Sequence, residues 1–161
     1  MSKKPSYPYT PKSTTYLTPG EFWTIRLNDG RYACGRVLQL DFGLGKRHTR
    51  WFLAGLMNWV GREQPTNEGI AGLDILDHGR VHVKTIEECG GQIVGSRPLE
   101  LDDLQVPLTL ECRHGSNIKL RRGFQFLEEA SDEQMANLDA LSTWGYHFIK
   151  LRAEKLFPHK S

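Results

Sequence analysis

Cysteine is scarce in this chain, and its copies do not pair along the sequence. Cys34, Cys89 and Cys112 are far apart and odd in number. That excludes a small disulfide framework and fits a reducing compartment. Long apolar runs are missing too, since none approaches the ~20 residues that a membrane helix needs. The opening MSKKPSYPYTPKSTTY carries lysines but no apolar stretch behind them, unlike a secretory signal. A cytoplasmic location is therefore expected, with no membrane partner. Charge of one sign is also lacking. The formal net charge is +2, and Lys3, Lys4 and Lys12, in a segment without acids, more than account for it. The rest of the chain is close to neutral, which is not the footprint of a dedicated nucleic-acid binder.

Catalytic signatures are absent as well. No GxSxG elbow occurs, and GLGKRH has neither the spacing nor the following Ser/Thr of a phosphate-binding loop. Cys34 lies mid-strand, as a small core residue would. Cys89, before Gly90-Gly91, has no basic neighbour to lower its pKa. Glu87-Glu88 and Asp102-Asp103 read as solvated-helix and turn charges. His78 and His82 are four apart, but Gly79 between them argues against a helix. Cys112 and His114 place two possible ligands on one strand face, whereas zinc sites show denser clusters. These observations assign no catalytic residue, no metal and no cofactor, and the chain reads as a non-enzyme.

What is present describes one domain of ordinary size, 161 residues with 39% apolar and 25% charged. Residues 1–19 hold Pro5, Pro8, Pro11 and Pro19 and read as an extended arm, mobile or pinned by Tyr7, Tyr9 and Tyr16. Residues 20–161 then form a single α+β domain. Residues 20–42 alternate, turn at Asp29-Gly30 and alternate again. A two-residue turn would set Leu27 opposite Tyr32, Ile25 opposite Cys34 and Gly35 opposite Thr24, with Leu38, Leu40 and Phe42 on one buried face. FGLGKRH breaks the strand. The apolar run 50–60 predicts a central strand beside the hairpin. IAGLDIL (70–76) predicts a short strand, and HGR a turn.

Further on, VHVKTIEECGG predicts a short helix capped by glycine. QIVG and PLTLECR predict strands, and IKLRRGFQFLEE a last strand interrupted by glycine. SDEQ at 131–134 has the capping-box form, with Met135, Leu138 and Leu141 on one helical stripe. Ser142 or Thr143 then caps a second helix carrying Trp144, Phe148 and Leu151. The expected architecture is a twisted, mostly antiparallel sheet or partly open barrel with C-terminal helices packed on it.

Two basic clusters stand out: Lys46, Arg47, His48 and Arg50 before Trp51, and Lys119, Arg121 and Arg122. Basic residues beside aromatics suit RNA by phosphate contact and stacking. They suit an acidic protein surface equally, and strand-end charges also guard against aggregation.

PGEFWTIRLNDGRYACGRVL resembles the opening signature of the bacterial immunity protein 26 family. That signature has a Pro-Gly, an apolar strand, an Asp-Gly turn, an aromatic and then Gly-x-Val. It falls here on Pro19, Gly20, Phe22, Ile25, Leu27, Asp29, Gly30, Tyr32, Gly35 and Val37. The resemblance implies function by binding: such proteins protect a bacterium from a toxin delivered by its kin by occupying that toxin. The expected partner is a cognate toxin protein, with the hairpin as scaffold. Candidate contact residues are Arg47, His48, Arg50 and Trp51, the types enriched at hot spots. Against a basic toxin cleft the acidic set Glu63, Glu68, Asp74 and Asp77 is the better match. Two other function classes remain open, a nucleic-acid-binding module and a small hydrolase or ligand-binding domain.

Overall fold

The computed structural model describes residues 3–43, 45–112 and 118–159. Leu44 of the FGLGKRH break and His114 of the Cys112/His114 pair lie outside them. Glu21–Arg26 (β1) and Tyr32–Leu40 (β2) form the hairpin that alternation demands. Its register is one residue away from the expected one: Ile25 pairs with Ala33 and Arg26 with Tyr32. The Leu27 amide donates to the Arg31 carbonyl at 2.9 Å, so Asn28, Asp29 and Gly30 make a three-residue loop. The Gly30 amide donates back to Leu27 at 3.1 Å, and Gly30 has φ 90°. This is a type I turn closed by a left-handed glycine, which also matches strand twist.

Because side chains alternate with period two, the slip changes faces. Gly35 lies opposite Trp23 rather than Thr24, and the indole covers it. Trp23, Ile25, Leu27, Ala33 and Val37 pack on one side, and Phe22, Cys34 and Leu38 on the other. A bulge between Val37 and Gln39 separates Leu38 from Leu40, and Phe42 is 51% exposed. The single buried face expected for the hairpin is thus corrected to two buried faces.

Trp51–Gly61 (β3) is an internal strand beside the hairpin, as its continuous apolar run requires. Ile75–His82 (β4) flanks it. After a short helix Lys84–Glu88 (α1), Ile93–Ser96 (β5) joins β1. The sheet order is β4-β3-β2-β1-β5, with every pair antiparallel. The strand expected at 70–76 starts only at Ile75, and Gly79 of HGR lies inside β4 rather than in a turn. Glycine is needed there because the Trp144 indole packs against its backbone, where a Cβ has no room.

A second antiparallel sheet contains Leu108–Cys112 (β6), Ile118–Arg122 (β7) and Gln125–Glu129 (β8). The expected last strand with a glycine interruption is therefore a hairpin, turned at Gly123 with φ 63°. The two sheets are open, and the fold is α+β with a few C-terminal helices.

Asp132–Asn137 (α2) begins on the expected capping box. Ser131 Oγ accepts the Gln134 amide at 3.1 Å and Gln134 Oε1 accepts the Ser131 amide at 2.9 Å. The helix ends at Asn137, so Leu138 and Leu141 are not on it. Leu141 instead packs near Leu38 and Leu53. Phe148–Leu156 (α3) starts after Trp144 and buries Ile149 and Ala153, while Leu151 is 66% exposed. The earlier start is lost because the preceding chain is extended and held by two strand edges. Arg80 N–H donates to Ser142 O, Trp144 N–H to Arg80 O and Leu110 N–H to Asp139 O, each at 2.9 Å.

α1, α3 and the N-terminal segment cover one face of the large sheet. Ile70, Leu99, Leu104 and Phe124 cover the other. The N-terminal segment is tied to the buried Glu21 carboxylate. Tyr7 and Tyr9 hydroxyls donate to it at 2.9 and 3.3 Å, the Thr18 amide at 2.6 Å, and Lys4 approaches at 3.1 Å. Burial, reinforced by this carboxylate, pushes the Tyr7 phenol up to about 12. Tyr9 also exchanges backbone bonds with Ile93 at 3.1 and 2.8 Å.

Candidate partner-binding face

β3 begins at Trp51 and β4 ends at His82, and antiparallel pairing makes them direct neighbours. Their rings meet edge to face with centroids 5.4 Å apart. Tyr146, on the approach to α3, meets His82 the same way at 5.6 Å and is 41% exposed. Three rings thus stand in a row at one end of the sheet. Cations flank them: the Arg80 guanidinium lies 4.7 Å from the Trp51 ring, and Lys84 Nζ 5.6 Å from the Tyr146 ring. Burial first, and then Arg50, Lys84 and His48, lower the His82 pKa, so its ring is neutral at neutral pH.

The structure joins part of the expected basic loop to this face. His48 Nδ1 accepts the amides of Arg50 and Trp51 at 3.2 and 3.3 Å, which fixes the turn into β3. Arg50 donates to the Lys12 carbonyl. Arg47 points elsewhere, donating to the Thr14 and Thr15 carbonyls at 3.0 and 2.6 Å and lying 5.6 Å from the Phe42 ring. Two arginines of the loop thus hold the N-terminal segment.

The acidic set is divided. Glu63 and Glu68 are exposed in the β3–β4 connection, and Asp74 is exposed at its end. Asp77 pairs with Arg152 of α3 at 3.1 Å, and its other oxygen accepts the His78 amide at 2.9 Å. Sequence reasoning missed Arg80, His82, Lys84 and Tyr146 as members of the ring face. The available signal was alternation of His78, Arg80 and His82, which shows only when HGR is read as strand.

Asp102 is corrected from a turn charge to a buried anchor. It meets Arg36 at 3.4 Å, Arg97 at 2.8 Å and the Gly72 amide at 2.9 Å. Bonding from Arg97 chiefly holds its pKa down at about 2, whereas burial lowers that of Arg36. The trio fastens the Leu99–Asp102 turn onto the sheet. Cys34 and Cys89 are buried thiols, and desolvation raises both pKa values, Cys89 to about 12. Among the described residues, no three His, Cys, Asp or Glu side chains are grouped as metal ligands would be.

The hairpin, β3, β4 and the Arg36–Asp102 anchor all fall within residues 18–111, the stretch matched by the model of the family described as Immunity protein 26. The chain belongs to that family. Comparison with curated proteins and with solved structures gives no match. Tyr146 lies outside the family match, so the ring face is built partly from the family core and partly from the C-terminal chain beyond it. No helix among the described residues is long and apolar enough to cross a membrane.

Proposed function

We propose that this protein is an immunity protein that binds a cognate bacterial toxin domain in the cytoplasm and neutralises it without catalysis. Family membership over residues 18–111 carries the reading. The toxin meets the ring face of Trp51, His82 and Tyr146, with His48 and Arg50 at its edge. Aromatic and arginine side chains combine large contact area with directed polar groups, which is why they dominate binding energy. The basic rim favours an acidic partner surface.

The test is titration calorimetry with the toxin domain encoded beside this protein. Trp51→Ala and Tyr146→Ala are each expected to weaken binding by about 2 kcal/mol, the size of a hot spot. Lys84→Glu is expected to slow association more than it speeds dissociation. Loss confined to Glu63→Lys/Glu68→Lys would overturn the ring face and indicate a cationic toxin surface. No binding by the unaltered protein would overturn the function.

One observation favours a second reading: rings 5.4 and 5.6 Å apart, flanked by cations, also suit stacked bases of single-stranded RNA. Polarisation of a labelled oligouridylate decides it, because such binding must fall steeply with salt.

A further inference from the structure

At the end of β4 the Lys84 amide donates to His82 Nδ1 at 3.0 Å. A backbone N–H can only donate, so Nδ1 holds a lone pair. Because the ring is neutral, its one proton sits on Nε2. His48 Nδ1 accepts the Arg50 and Trp51 amides in the same way, so its ring N–H is also at Nε2. Two imidazoles at this end of the sheet are therefore held in one tautomer by the turns they close. His82 Nε2 has no partner among the described residues, and unlike His78 Nε2 it is not enclosed.

Most polar side chains around this N–H are of one kind. Trp51 Nε1, Lys84, Arg50 and Arg80 donate and have no capacity to accept. The charges acting on the His82 ring come from Arg50, Lys84 and His48, and all three oppose a further positive charge there. Two carboxylates reach the cations of this face, and both are engaged. Asp41 lies 3.7 Å from Arg80, and Glu88 lies 3.8 Å from Lys84 and 3.6 Å from His147. Arg50 uses one nitrogen on the Lys12 carbonyl and meets no carboxylate among the described residues.

An open N–H in a positive field calls for an acceptor that carries negative charge. A carbonyl oxygen accepts but offsets no charge, whereas hydrogen bonds to an ionised oxygen are roughly twice as strong. A phosphate of RNA is anionic too, but it arrives with bases that stack on ring faces. Trp51 and Tyr146 each meet His82 edge to face, at 86° and 75°, and Arg80 and Lys84 stand against those same two rings. A carboxylate needs no free ring face.

We propose that His82 is the specificity-determining contact of the ring face, donating its Nε2–H to an Asp or Glu carboxylate of the toxin. The proposal rests on the toxin-binding reading and adds to it the atom, the tautomer and the partner group. Its first test needs no toxin: proton–nitrogen NMR of the imidazoles in the free full chain at pH 7. His82 is expected to carry its proton on Nε2 alone, and a proton on Nδ1 overturns the proposal whatever the toxin does. The second test titrates the toxin domain encoded beside this protein. His82→Asn keeps an acceptor for the Lys84 amide but removes the distal N–H, and it is expected to weaken binding at least about tenfold, as a lost hydrogen bond to a charged group does. His82→Gln places an amide N–H near the Nε2 position and is expected to bind more tightly than His82→Asn. One Asp→Asn or Glu→Gln exchange in the toxin domain should cost as much against the unaltered chain and nothing further against His82→Asn. Undiminished binding by His82→Asn, equal loss in the two variants, or additive losses at every toxin carboxylate would overturn the proposal while leaving toxin binding in place. No binding by the unaltered chain would overturn the toxin-binding reading and the proposal with it. Loss of oligouridylate binding in His82→Asn with toxin affinity unchanged would assign the N–H to a phosphate and overturn the carboxylate.

Discussion

Asp102 shows how much one side chain determines in this protein. It is the common acceptor for two arginines and a backbone amide, and without it the fully buried Arg36 guanidinium has no counter-charge. Asp102→Asn is expected to lower stability by roughly 3 kcal/mol, since breaking a buried pair strands the remaining ion. Urea unfolding measures this. The same carboxylate gives a pH signature. Its folded pKa is depressed from 3.8 to about 2, so its stabilisation is fully present above pH ~4 and is lost as pH falls towards 2. Acid titration followed by tryptophan fluorescence should show a shallower decline below pH 4 in Asp102→Asn. The two buried thiols make a simpler expectation. With pKa values pushed up by burial, Cys34 and Cys89 should resist iodoacetamide at pH 8 and react once the chain is unfolded.

At the level of elements, the hairpin depends on Gly30. Its φ of 90° suits glycine and is strained for a β-branched residue. Gly30→Val is expected to cost about 1–2 kcal/mol, seen as a lower melting temperature. Gly79→Ala tests β4 differently, because its methyl would press on the Trp144 indole and should cost roughly 1–3 kcal/mol. Elements that rest on local chemistry were legible in the sequence. The β1–β2 alternation, the apolar β3 run, the glycine cap of α1 and the Ser131–Gln134 capping box each state their own structure. What failed depends on partners distant along the chain. Hairpin register turned on whether Asn28 joined the loop, and both answers fit the same residues. Gly79 looked like a turn because Trp144, which requires it, lies far downstream. The second helix begins late because the β4 edge at Arg80 holds Ser142 to Trp144, its expected first turn. The candidate site was half legible: His48, Arg50 and Trp51 are contiguous, but His82 and Tyr146 reach Trp51 only through folding.

For the molecule as a whole, the N-terminal segment is part of what keeps a buried charge tolerable. Lys4, Tyr7 and Tyr9 all converge on Glu21, which has no solvent of its own. Removing residues 1–10 is expected to destabilise the protein by about 3 kcal/mol, by leaving that carboxylate buried with too few donors. Glu21→Gln in the truncated chain should recover part of the loss, because a neutral amide is cheaper to bury. Chemical denaturation of the four combinations measures both effects and their coupling.

That clasp also sets an order of events during protein synthesis. The residues that grip Glu21 are made well before β5, yet Tyr9 has no backbone partner until Ile93 has been made. At roughly 5–20 residues per second, the wait is on the order of ten seconds. Through that interval β1 has β2 beside it but an open edge where β5 will lie. The segment before β1 is therefore fixed late, and a nascent chain halted before β5 carries that segment loose and β1 with one open edge.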